Sequence, residues 1–167
     1  MEEHKLGNSF CFYHLEQNMK TQRFTVDKID EIDSVEGFFN AYKQFPGIEN
    51  FVNTNHWLSL FKSDIKPVWE DPANKNGIRV RFKMACTMDI GKWVKRLLEI
   101  TISGQIEDRV KCASFNGFHV HYRSPFFLYE FWFGNCKGSE ISRGMEELMQ
   151  EQAKAVLDEG IEVKEMK

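Results

Sequence analysis

Alternation of apolar and polar residues predicts a set of β-strands. It is most regular at 79–84, where Arg79, Arg81 and Lys83 share one face and apolar side chains take the other. Aromatic-rich runs predict further strands at 9–15, 57–61, 110–118 and 126–133. A weaker extended segment follows at 24–29, and 161–163 is a candidate for the sheet edge.

Apolar residues spaced three and four apart predict three helices. The first follows Ser34, a good N-cap, and ends before Pro46. The second spans 90–102, between Asp89 as its cap and Gly104 just beyond its end. The third begins at Ser139 and ends at Gly160.

The order of these elements predicts an α+β fold. Strands and helices do not alternate regularly and several strands are consecutive, which favours an antiparallel sheet with helices packed on one face. The other face is then left to water or a ligand. With no repeat and no linker-like stretch, residues 1–167 are expected to form a single domain.

Charge and cysteine content narrow the classes of function. The 22 basic and 25 acidic residues give a net charge of −3, so a nucleic-acid partner must be held by a local, shaped site. The four cysteines form no C-x-x-C pair, which argues against structural zinc and favours reduced thiols. With no signal-peptide pattern and no membrane-length apolar run, we expect a cytoplasmic protein, with the nucleus as a second possible compartment.

The segment 65–71, IKPVWED, followed by NKNG at 74–77 and by Arg79, resembles the eukaryotic translation initiation factor 4E family. The likeness continues in register at 3–8, at 33–39, at Trp93 with Leu97 and Leu98, and at Trp132. It implies a curved antiparallel sheet with three α-helices on its convex face and a binding site for the 7-methylguanosine cap of mRNA in the concave face. It also implies recruitment of the scaffold initiation factor 4G.

Trp69 and Glu70 suit the chemistry of the cap. Guanine methylated at N7 is cationic, and an aromatic face attracts a cation by about 0.5–2 kcal/mol. An ionised Glu accepts both N–H donors of the guanine Watson–Crick edge, at about 1.5–3 kcal/mol per charged hydrogen bond. Trp69 is therefore the expected stacking face and Glu70 the edge acceptor. Without the resemblance, Trp69 would be interpreted as a surface-loop aromatic.

Three further residues are expected near the ligand. Strand alternation separates Trp132 from the aromatic set 127, 129, 131 and 133, which leaves it on the ligand face unless it only packs within the sheet. By resemblance, Trp132 touches the methyl group and Arg123 contacts phosphate; a solvated loop arginine is the alternative for Arg123. Arg79, with Arg81 and Lys83 on its face, is a second phosphate candidate.

The sequence departs from the family at several positions. The family's second stacking Trp has no counterpart in 20–25, where Phe24 is the only aromatic, so Phe24 is assigned that face although a strict alignment places Gln22 there. Leu128 replaces a phosphate-binding Lys, and Glu130 should repel phosphates unless it pairs with an arginine. The chain also stops soon after the third helix, which indicates a divergent, C-terminally short member.

The resemblance also implies a partner site on the convex face, for a helical Tyr-x-x-x-x-Leu-hydrophobic peptide of the scaffold factor or of a repressor. The matching positions are His4, Val35, Phe39, Trp93, Val94 and Leu98. Helical spacing predicts that Trp93 points away from the sheet as an exposed anchor, the alternative being burial beneath a loop. Phe39 stands where relatives carry Trp, and Lys95 where they carry Glu.

Two other functions compete with cap-dependent initiation. One is an interaction adaptor or translational repressor of the same fold with weak or lost cap binding, as the missing second Trp suggests. The other is an enzyme in which His119 and His121 ligate a metal or Cys112 acts as a nucleophile; no glycine-rich phosphate loop or nucleophile elbow supports it. We therefore predict a monomer that binds without turnover and needs no metal or cofactor.

Overall fold

Seven antiparallel strands form one sheet in the computed structural model, which describes residues 3–45, 47, 55–85, 89–111, 114–135, 138–156 and 162–166. The strands are β1 Lys5–Gln17, β2 Phe24–Ser34, β3 His56–Lys62, β4 Ile78–Ala85, β5 Phe115–Arg123, β6 Phe126–Phe133 and β7 Glu162–Met166. Their spatial order is β2-β1-β3-β5-β6-β4-β7, so β2 and β7 form the two edges.

The described residues contain four helices, one more than predicted: α1 Val35–Tyr42, α2 Ile90–Ser103, α3 Gln105–Val110 and α4 Gly138–Val156. The predicted caps are present, since Ser34 accepts the Gly37 N–H at 3.0 Å and Asp89 accepts the Lys92 N–H at 3.1 Å. Gly104 ends α2 in the left-handed conformation with φ 84°.

The short helix α3 corrects the predicted strand at 110–118. Ile106 and Val110 are buried whereas Asp108, midway between them, is exposed, so this segment has helical rather than alternating burial. The strand β5 begins only at Phe115.

The helices pack against the convex face of the sheet and enclose the main core. Val80, Phe82 and Met84 of β4 belong to this core, together with four residues of β6: Phe127, Tyr129, Phe131 and Phe133. The predicted alternation of both strands is thereby confirmed. A smaller cluster on the opposite face contains Trp132 and residues of β1.

Trp93 belongs to the core, which corrects its predicted exposure. It is 0% exposed and its ring meets that of Tyr129 edge-to-face, with centroids 6.1 Å apart. An indole has more apolar surface to bury than any other side chain, and α2 places it where that surface is fully covered. Val94 and Leu98 are buried as well.

No helix in the described parts of the chain is both long enough and apolar enough to cross a bilayer.

Candidate functional site

The concave face of the sheet carries a cavity of about 960 Å³. It brings together five of the six predicted ligand-contacting residues: Phe24, Trp69, Glu70, Arg79 and Trp132. They come from β2, β4, β6 and the loop between β3 and β4, so only the folded sheet assembles them. Trp69 is 42% exposed whereas Trp132 is 5% exposed, so Trp69 forms the rim and Trp132 part of the floor.

Asp71, the third residue of the Trp-Glu-Asp motif, shapes the loop that presents Trp69 and Glu70. Its Oδ2 accepts the backbone N–H of Lys66 and its Oδ1 that of Ala73, both at 2.9 Å. One carboxylate thus closes the loop on both sides of Trp69 and Glu70, and both of those side chains remain exposed.

Asn74 and Asn116 fix this loop from below. The buried Asn74 amide donates to the carbonyls of Lys66 at 2.9 Å and Val68 at 2.8 Å. Asn116 of β5 donates to Ala73 O and to Asn74 Oδ1, both at 2.9 Å. The rim that carries Trp69 is therefore anchored to the sheet.

Arg79 lies against both cavity tryptophans. The Trp69 and Trp132 rings meet nearly perpendicularly, at 82° with centroids 5.8 Å apart. The Arg79 Cζ lies 5.2 Å from the Trp69 centroid and 5.7 Å from the Trp132 centroid. These distances are within the range of cation–π attraction, so the guanidinium occupies a cation site made by two indoles.

Glu130 forms a buried polar hub beneath the cavity. Its carboxylate accepts Trp132 Nε1–H at 3.2 Å, lies 2.8 Å from His121 Nε2 and lies 3.6 Å from Arg81 NH2. Burial alone would raise the pKa of Glu130, but the hydrogen bond and charge of His121 and the charge of Arg81 lower it to about 2. Glu130 therefore pairs with an arginine, the condition under which it does not repel phosphates.

Two floor residues, Trp57 and His119, line the cavity although neither was predicted to belong to the ligand site. Trp57 stacks on His121, with centroids 3.7 Å apart and planes 3° apart, and Phe24 meets Trp57 at 76° with centroids 5.0 Å apart. Alternation along β3 and β5 would have placed both on the face of Trp132 once the pairing of these strands was known.

One ring nitrogen of His119 has no hydrogen-bond partner among the described residues. This nitrogen is the buried Nε2, whereas Nδ1 shares a hydrogen bond with Ser59 Oγ. Burial lowers the pKa of His119 to about 3, so the ring is neutral at physiological pH.

The two histidines considered as metal ligands of an enzyme form hydrogen bonds within the protein instead. His119 is bonded to Ser59 and His121 to Glu130. Within the described ranges, no group of three or more His, Cys, Asp or Glu side chains could hold a metal ion. Cys112, the candidate nucleophile, lies outside the described residues.

Arg123 is exposed at the end of β5 and does not line the cavity. It is four residues beyond His119, about 13 Å along the strand, which places it past the end of the pocket. The basic residues that line the cavity are Arg23, Lys28, Lys66 and Arg79. A phosphate contact by Arg123 stays a prediction.

On the convex side, three of the six predicted partner residues are exposed. Val35 is 36% and Phe39 38% exposed, and His4 binds Glu36 through its backbone N–H at 2.9 Å and through its ring. That hydrogen bond raises the pKa of His4 and lowers the pKa of Glu36 to about 2. The other three residues, Trp93, Val94 and Leu98, are buried.

Sequence comparison connects the chain with translation initiation factors. The family model "Eukaryotic initiation factor 4E" matches residues 5–165. A wheat (Triticum aestivum) initiation factor NCBP is 31% identical over 84 residues, covering 49% of this chain and 34% of that protein. Initiation factor 4E1 of Drosophila melanogaster is 35% identical over 79 residues, covering 46% of this chain and 30% of its own. The matches thus span about a third of these relatives.

Solved structures share the fold along nearly the whole chain. A schistosome eIF4E complexed with m7GpppG and 4E-BP superimposes with a TM-score of 0.80 at 23% identity, covering 99% of this chain and 90% of the other. Ascaris suum eIF4E-3 with the m7G cap gives a TM-score of 0.81 at 19% identity, covering 99% and 93%.

Proposed function

This chain belongs to the eukaryotic initiation factor 4E family, whose model matches residues 5–165, and on that premise we propose that it binds the 7-methylguanosine cap of mRNA. The observation that carries the proposal is the placement of Trp69 and Glu70 side by side on the rim of a cavity that also contains Trp132. An aromatic face, a carboxylate beside it and a second indole are the groups that a cationic guanine requires.

Each rim residue has a distinct role in this proposal. Trp69 stacks on the base and gains both the stacking and the cation–π attraction. Glu70 accepts the two N–H donors of the guanine edge, so that adenine, which lacks this pair, leaves the carboxylate desolvated and unpaired. Asp71, which closes the loop, keeps the two groups in a fixed relation.

The charges near the cavity favour a triphosphate. Arg23, Lys28, Lys66 and Arg79 line it in a protein whose net charge is −3, so the positive potential is local. Two structural relatives were solved with cap compounds, the schistosome protein with m7GpppG and the Ascaris protein with the m7G cap, which supports a ligand of this class.

We further propose that the convex face recruits the scaffold factor 4G or a repressor through an amphipathic helix. Val35 and Phe39 are the exposed apolar residues that such a helix would cover. The schistosome relative was solved with 4E-BP, which supports a partner of this kind. The protein would then act in the cytoplasm and bind its ligand without turnover. The adaptor that lacks cap binding is not favoured, because the rim and floor groups meet in one cavity.

The test is a titration of tryptophan fluorescence with 7-methyl-GTP, GTP and ATP. Cap binding predicts quenching, with the methylated nucleotide bound more tightly than GTP and ATP bound least. Equal affinity for 7-methyl-GTP and GTP, or no quenching by either, contradicts the proposal. Retention of a Tyr-x-x-x-x-Leu-hydrophobic peptide without any nucleotide preference would favour the adaptor.

A further inference from the structure

The position of Arg79 bears on how the cavity discriminates a methylated base. Its guanidinium lies over Trp69 and Trp132, at 5.2 Å and 5.7 Å from the ring centroids. No carboxylate forms an ion pair with Arg79 in the described parts of the chain. Its guanidinium is partly exposed, and among the described residues its charge is attracted chiefly by the two indoles.

A cationic base needs the same electron-rich rings. In the proposed function it stacks on Trp69 and brings its methyl group to Trp132, which are the two rings that Arg79 already contacts. Two positive charges on one ring repel each other and divide its cation–π attraction. This repulsion acts when the base stacks on the face of the indole opposite to the guanidinium, so that both cations remain at the same ring.

An uncharged base does not experience this competition. Unmethylated guanine collects the stacking contribution, which does not depend on a positive charge. The charge of Arg79 therefore weakens binding of the methylated base more than binding of the unmethylated one. The same charge attracts the phosphates, so its two effects on a cap nucleotide have opposite signs.

We infer that Arg79 sets the methyl selectivity of this site: its guanidinium competes with the cationic base for Trp69 and Trp132, and compensates by attracting the phosphates. This inference rests on the proposed function. Arg79 is then a specificity-determining residue: it lowers the preference for the methyl group and raises the affinity for the triphosphate.

Nucleosides separate the two effects because they carry no phosphate. We expect Arg79→Met to bind 7-methylguanosine about three- to tenfold more tightly than the wild type, the size of one cation–π contact, and to bind guanosine with little change. The gain in affinity from 7-methylguanosine to 7-methyl-GTP should shrink in the same variant. Arg79→Lys, which keeps the charge, should resemble the wild type.

The matched control is Arg23→Met. Arg23 lines the same cavity, but its guanidinium lies over no ring among the described residues. This variant should lose affinity for 7-methyl-GTP while the ratio of 7-methylguanosine to guanosine binding stays that of the wild type. Circular dichroism and melting temperature verify that each variant is folded.

The outcomes distinguish this inference from the proposed function. If the wild type prefers 7-methyl-GTP but Arg79→Met leaves the nucleoside ratio unchanged or lowers it, the role of Arg79 is wrong and the cap site stands. If the wild type shows no preference for 7-methyl-GTP, the proposed function fails and this inference fails with it.

Discussion

At the scale of single residues, Glu70 carries the recognition of the guanine edge. We expect Glu70→Gln to weaken 7-methyl-GTP binding by about ten- to a hundredfold, because a neutral amide loses one or two charge-assisted hydrogen bonds. Fluorescence titration measures the change. Asp64→Asn is the control, since Asp64 is exposed in the same loop and does not line the cavity. Equal affinities of the two variants for 7-methyl-GTP would contradict a contact between Glu70 and the guanine edge.

His119 makes a residue-scale prediction about pH. Burial lowers its pKa from 6.5 to about 3, so between these pH values the residue is protonated in the unfolded chain and neutral in the folded chain. The free energy of unfolding is therefore highest above pH 6.5 and decreases as the pH falls toward 3. Between pH 7 and pH 5 the loss should be about 2 kcal/mol.

Urea unfolding at pH 7 and pH 5 tests this prediction. We expect His119→Gln to lose less stability than the wild type over that interval, because Gln does not titrate. The interval lies above 4.5, the ordinary pKa of Glu130, and the contribution of Glu130 is lost only as the pH falls from 4.5 toward about 2. An unchanged pH dependence in the variant would show that another group is responsible.

At the scale of elements, the buried Asn74 side chain holds the loop between β3 and β4, and thereby the rim of the cavity, without lining the cavity itself. Asn74→Ala removes the amide that donates to Lys66 O and Val68 O and that accepts from Asn116. We expect about 1–3 kcal/mol lower stability, since buried partners are left unpaired, together with weaker binding of 7-methyl-GTP. Thermal melting and titration check both. Unchanged nucleotide affinity would mean that Trp69 and Glu70 hold their geometry without this anchor.

Trp93 and Phe39, which the family resemblance assigns to one partner site, differ in exposure: Trp93 is buried and Phe39 is exposed. Trp93→Ala should cost about 3–5 kcal/mol of stability, because it empties a fully buried site in α2. Phe39→Ala should leave the melting temperature nearly unchanged and weaken capture of a Tyr-x-x-x-x-Leu-hydrophobic peptide. Calorimetry measures the stability of both variants, and a binding assay measures their affinity for the peptide. A stable Trp93→Ala variant with lost peptide binding would return Trp93 to the partner surface.

The elements also show what the sequence determines by itself. Local signals locate α1 and α2, since their caps Ser34 and Asp89 make the predicted hydrogen bonds, and alternation correctly assigns the faces of β4 and β6. Gly104 correctly marks the end of a helix, but the short helix behind it escapes prediction because its two buried residues give no clear period.

The site shows the same division between local and long-range information. Trp69 and Glu70 can be found from the sequence because they are adjacent in a motif. Trp57 and His119 cannot, because their place depends on which strands pair, and β3 pairs with β5, which is more than 50 positions away. The burial of Trp93 depends on the sheet that α2 covers, and helical spacing alone does not reveal it.

At the scale of the whole molecule, the charge distribution predicts a salt effect. The protein is mildly acidic overall, yet Arg23, Lys28, Lys66 and Arg79 line the cavity. Raising KCl from about 50 mM to about 300 mM should weaken 7-methyl-GTP binding severalfold and leave 7-methylguanosine nearly unaffected, because salt screens the phosphate charges. Parallel titrations measure it. Equal salt dependence of both ligands would place the phosphates away from these cations.

The outer position of β2 has a consequence for the behaviour of the protein at high concentration. One side of its backbone has no neighbouring strand in the described sheet, and such an edge is a template for another copy. Five charged side chains lie along it: Asp27, Lys28, Asp30, Glu31 and Asp33. Stacking two molecules edge to edge would crowd these charges together. The same strand that leaves the sheet open therefore protects it against fibril-like self-assembly, and neutralising those charges would promote it.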